Sequence, residues 1–165
     1  VPGDADNPSD ASVTKFKGVF TKMKLDKNTD SIISIRRNPL NVLIGGKYNK
    51  YTEGFDFNSQ LPNSLEEFNS TNKDFNKYFK VLSNNETLTG EILSSELMDT
   101  FVRMFKQINF EINIINEYVY LRIAVNKNLF EPDFNKSIIQ KDKLQELCDL
   151  LNFIITLLID LVNSL

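Results

Sequence analysis

Two five-residue runs, Phe110–Ile114 and Val119–Ile123, alternate strictly between apolar and other side chains on either side of an Asn116-Glu117 turn. A period of two sends successive side chains to opposite faces of a pleated strand, so the pair reads as an antiparallel hairpin. That commits the chain to a sheet with an apolar face that something must cover. Val13–Leu25 reads as a further strand, with Phe16, Gly18 and Phe20 on one face and Val19, Met23 and Leu25 on the other. A turn cluster at Asp26–Asp30 separates it from an Ile-rich strand at Ser31–Arg37, and this spacing predicts that the two pair as a hairpin. Pro39 interrupts, Val42-Leu43-Ile44 would be a short third strand, and Phe79–Leu82 another.

Helices are signalled between and after these strands. Ser64 with Glu67, and less well Thr71 with Asp74, match a capping box and predict helical turns at Leu65–Phe68 and Asp74–Tyr78. Ser94 caps a better-marked helix, with Glu96 and Asp99 in its first turn and Leu93 and Met98 spaced as a hydrophobic staple. Its apolar face is Leu97, Met98, Phe101, Phe105 and Ile108. The last helix runs from about Ile138 to Val162. Lys141, Gln145, Asp149, Asn152, Thr156 and Asn163 form one narrow polar stripe on it, and almost everything else is apolar. A helix apolar around most of its circumference needs cover on most sides. That favours a central core helix over a face that meets a second copy. A membrane span is disfavoured, because Asn152 and Asp160 interrupt a run shorter than the roughly 20 residues a span needs.

Composition then limits the chemistry. The 165 residues contain no histidine and one cysteine, Cys148. Without histidine the commonest general base, the Ser-His-Asp and Cys-His pairs and most zinc sites are gone. A lone cysteine forms no internal disulfide, and Cys148 in its apolar run reads as a small buried hydrophobe. The net charge of -3 lacks the positive footprint of non-specific nucleic-acid binding, so no nucleic-acid partner is expected. No metal or other cofactor is expected either. Residues 1–12 are polar and rich in turn formers and read as a linker or an expression remnant, with residues 13–165 forming a single α+β domain.

Few groupings suggest a site. Gly45-Gly46-Lys47 lacks the Gly-Lys-Ser/Thr helix opening of a phosphate loop and reads as a turn in a long Gly45–Pro62 loop. Within that loop Lys47, Tyr48, Tyr51, Phe55 and Phe57 mix charge with aromatic rings, making a possible interaction loop, although Glu53 and Asp56 lie inside it. Glu96 and Asp99 share a helix face at metal-ligand spacing, yet acids in a first turn are expected for dipole reasons alone. Asn69-Ser70-Thr71, Asn85-Glu86-Thr87 and Asn135-Lys136-Ser137 are formal glycosylation sequons of a kind an Asn-rich chain produces by chance.

The runs DFNKYFKVLSNN at Asp74–Asn85, GEILSSELMDTF at Gly90–Phe101, EYVYLRIAV at Glu117–Val125 and NLFEP at Asn128–Pro132, with FKGVF at Phe16–Phe20, resemble the bacterial domain of unknown function 3137 family. Gly45–Ser64 carries no matching motif, and the segment that precedes the first strand in members has no counterpart here. The resemblance brings no catalytic residue. It implies membrane segments upstream of this domain and a position on the cytoplasmic side of the bacterial cell membrane. The matching positions Phe75, Phe79, Val81, Leu93, Tyr120 and Phe130 are of core type.

The expected fold is α+β: an antiparallel, curved sheet of about five strands packed by two main helices, with the Leu144–Val162 helix across its apolar face and Ser94–Gln107 beside it. The expected function is a non-catalytic interaction module that binds a protein partner or itself. The alternative is a domain that binds a small apolar ligand or lipid. An enzyme working through carboxylates and a metal ranks last.

Overall fold

The structure is a computed structural model. It describes residues 18–38, 61–62, 64–105, 108–125 and 141–164, without the side chains of Asp142 and Lys143. Six strands form one antiparallel open sheet: β1 (Gly18–Lys24), β2 (Ile32–Arg37), β3 (Glu66–Phe68), β4 (Phe79–Ser83), β5 (Asn109–Ile115) and β6 (Tyr118–Ala124), in the order β1-β6-β5-β2-β4-β3. Four helices accompany them among the described residues: α1 (Lys73–Tyr78), α2 (Glu86–Ile92), α3 (Ser95–Phe105) and α4 (Lys141–Asn163).

The β5–β6 hairpin is as the alternation predicts, with Glu111 opposite Arg122 and Ile112 opposite Leu121. Asn116 turns the corner with φ of 54°, a left-handed conformation that asparagine tolerates better than most residues. The expected β1–β2 hairpin does not form. β1 pairs with β6, β2 pairs with β5 and β4, and the β5–β6 hairpin lies between them. The physical reason is in the connector, which bonds to the hairpin's tip instead of closing a tight turn. The Leu25 amide donates to the Glu117 carbonyl at 2.7 Å, the Thr29 amide to Asn116 at 3.1 Å, and the Asn116 amide to Ser31 at 2.8 Å.

Three further corrections concern local structure. The residues expected to make a helical turn at Leu65–Phe68 instead place Glu66–Phe68 beside β4 as β3, so the capping-box spacing there opens no helix and the described residues hold six strands instead of about five. The α1 helix is capped by Asn72, whose side chain accepts from the Phe75 amide at 3.0 Å, one residue after the predicted Thr71. Helix α2 is additional. Asn85 caps it by accepting from the Leu88 amide at 3.1 Å, and the same side chain donates to Ser31 Oγ at 3.0 Å. Ser94 caps α3 as expected, accepting from the Leu97 amide at 3.2 Å.

The core lies between one sheet face and the helices. Ile33, Ile35, Val81, Phe110, Ile112, Ile114, Val119, Leu121 and Ile123 line it from the strands. Rings carry the contact to the helices. Phe79 lies 5.9 Å from Phe101 of α3, Phe101 lies 5.4 Å from Phe110 of β5, and Phe110 lies 5.8 Å from Phe153 of α4. Both α3 and α4 therefore pack on the same face, as expected, each such buried ring contributing on the order of 1.5–3 kcal/mol. At one edge of this core Arg37 donates to the carbonyls of Phe105 and Ile108 and lies over the Phe105 ring, closing the C-terminal end of α3.

Candidate functional site

Helix α4 has three faces, and they follow from its 3.6-residue turn. Leu150, Phe153, Ile154, Leu157 and Leu161 are buried against the core. Gln145, Asp149, Asn152, Thr156 and Asn163 form the polar stripe. Between these two faces Leu144, Cys148, Leu151, Ile155, Ile159 and Val162 follow one another at spacings of four, three, four, four and three residues. All six are exposed, the five large aliphatic ones to between 44% and 60%. This corrects two expectations. The helix is not covered on most sides, and Cys148 is not buried. A sheet has one apolar face to offer, so a helix lying on it buries one side only. The excess apolar positions of this sequence then remain outside. Among the described residues no helix is long and apolar enough to cross a membrane.

The opposite face of the sheet is polar and partly closed. Glu111 and Arg122, directly paired across β5 and β6, form an ion pair with side chains 11% and 13% exposed. Burial pushes the Glu111 carboxyl above the ordinary glutamate range; the Arg122 charge, hydrogen bonds from Asn113 and Arg122, and the Arg36 charge pull it partway back. Beside the pair, Asn113 of β5 stands opposite Ser34 of β2, and both are buried. Among the described residues Ser34 Oγ, Asn113 Oδ1 and Arg36 Nε have no hydrogen-bond partner. Further out, Phe20 is exposed, Tyr118 and Tyr120 are half-buried, and the Lys22 ammonium sits 3.9 Å from the Tyr118 ring centroid. Sequence reading missed this buried pair, because polar alternation in a hairpin is taken as solvent-facing. The signal that finds it is the hairpin's own symmetry: Glu111 and Arg122 are equally distant from the Asn116-Glu117 turn.

A shallow depression on α3 is lined by Ser95, Glu96, Asp99, Val102 and Arg103. It contains the Glu96 and Asp99 weighed as metal ligands, but Asp99 accepts a hydrogen bond from Asn72 at 3.0 Å, which ties α3 to α1. Among the described residues no group of three or more Cys, Asp or Glu side chains is placed to hold a metal ion. The proposed interaction loop, Lys47, Tyr48, Tyr51, Phe55 and Phe57, lies outside the described residues, as do Gly45-Gly46, Val42–Ile44, residues 1–12 and the sequon at Asn135. The sequon asparagine Asn85 is occupied as the α2 cap.

The family model that matches the chain covers residues 14–163 and is described as protein of unknown function (DUF3137). No curated protein and no solved structure matches the chain.

Proposed function

Because the chain belongs to the DUF3137 family, whose description assigns no activity, we propose from the molecule itself that it is a non-catalytic interaction module acting through the outer side of α4. The observation that carries this is the exposed stripe Leu144–Val162. An isolated exposed leucine is ordinary on any surface, but a continuous apolar row along several turns of one helix is the mark of a contact face. The row runs for about 27 Å at 1.5 Å per residue. The core beneath it is filled from the other side of the helix by the buried Phe153, Leu157 and Leu161.

By its family resemblance the module works on the cytoplasmic side of a bacterial membrane, held there through a segment outside this sequence. The reading that a small apolar ligand lies between sheet and helices is weaker, because interlocking rings from Phe79 to Phe153 take up that space.

A photoreactive residue placed at Ile155 of the full-length protein in cells tests the reading. The expected result is a defined protein adduct at Ile155 that is absent with the probe at Asp149 and lost when Ile159 becomes Glu. Equal or no labelling at the two positions would refute it.

A further inference from the structure

We propose that the occupant of the α4 stripe is a second copy of this chain, paired antiparallel through α4 about a two-fold axis that crosses the stripe at the level of position 153; this rests on the reading of the stripe as a contact face. A two-fold interface requires a patch that is complementary to itself after rotation. The stripe meets that condition. Reversal about position 153 places Leu144 against the partner's Val162 and Leu151 against the partner's Ile155. It also places Cys148 against the partner's Leu158 and Ile159 against the partner's Leu147. Each position in the row thus meets an aliphatic side chain, and Leu147 and Leu158 are half-buried at the stripe's border.

Charge points the same way. Two copies of an acidic chain repel one another unless the contact is free of like charges. The residues flanking the stripe on its polar side, Gln145, Asn152, Thr156 and Asn163, are uncharged, with Asp149 further round the helix. Lys141 is exposed and stands in line with the stripe one turn before Leu144. In the antiparallel arrangement it approaches the C-terminal end of the partner helix, whose last turn contains no basic residue to offset the negative end of its dipole. A parallel pair would set the two Lys141 ammoniums side by side and align the helix dipoles. Antiparallel order avoids both.

The test is sedimentation velocity of the 165-residue chain at concentrations up to about 0.5 mM, as befits an interface below about 1,200 Å². The wild-type chain is expected to dimerise reversibly. Ile155→Glu should weaken the dimer at least 30-fold with unchanged circular dichroism, because its site is exposed in the monomer. Orientation is read by oxidative cross-linking in a Cys148→Ser background. A mixture of Leu144→Cys and Val162→Cys chains should give the mixed disulfide, and Leu144→Cys alone should give none. A Leu144→Cys homodimer disulfide would overturn the antiparallel arrangement. A wild-type chain that stays monomeric would overturn the pairing. An apolar dye such as bis-ANS then separates the two failures. Binding that Ile155→Glu abolishes leaves the contact-face reading standing, and no binding removes it as well.

Discussion

The Glu111–Arg122 pair shows what a single strand position can hide. Burying two charges costs free energy that their attraction only partly returns, and removing one partner leaves the other uncompensated. Arg122→Met should therefore cost about 3–5 kcal/mol in urea unfolding, and replacing both residues with leucine should restore most of it. The loss should depend on pH. Since burial raises the Glu111 value in the folded chain, the folded form keeps its proton over a window where the unfolded form has lost it. This group's favourable contribution is full below its unfolded value and disappears as pH rises through the folded one. Without Arg122 the folded value rises further, so Arg122→Met should be more destabilised at pH 8 than at pH 5; equal losses would refute the assignment. Caps were partly legible at this scale. Ser94 announces α3 by its spacing, whereas Asn85 was lost among many asparagines, although it both caps α2 and reaches Ser31. Asn85→Ala should cost about 1–2 kcal/mol by thermal unfolding, the upper range for a lost cap.

Among the elements, α4 divides the readable from the unreadable. Its helical nature and position on the sheet follow from its pattern: Lys141–Asn163 is helical and Phe153 packs on Phe110, while the expected start at Ile138 lies outside the described residues. Which of its apolar residues face inward does not follow, because a helix apolar on two adjoining sides has no single hydrophobic direction. Substitution separates the sides. Phe153→Ala should cost about 3–5 kcal/mol, as deletion of a buried ring does, while Ile155→Ala should change the stability of the monomer by no more than about 0.5 kcal/mol. Chemical denaturation at low protein concentration measures both. The strands divide in the same way. β5 and β6 were legible because a short turn joins them, while β3 is a three-residue edge strand whose pairing depends on β4 and on nothing in its own composition.

For the whole molecule, class and layering were legible and strand order was not. Alternation identifies strands without naming their partners. Here the nearest strand in sequence is not the nearest in space, because the Leu25–Ser31 connector passes around the Asn116-Glu117 tip. The tip is held by contacts to that connector, and Asn116→Val, which forces a β-branched residue into a left-handed conformation, should cost about 1–3 kcal/mol, with Asn116→Gly much better tolerated. Equal melting temperatures for the two variants would refute this. The same lashing governs the order in which the molecule can assemble during synthesis. The segment that becomes β1 is made roughly a hundred residues before the strand it pairs with among the described residues, 118–124. Until then the nascent chain carries an unmated edge, and refolding should be correspondingly slow, on the millisecond-to-second scale of proteins dominated by distant pairings.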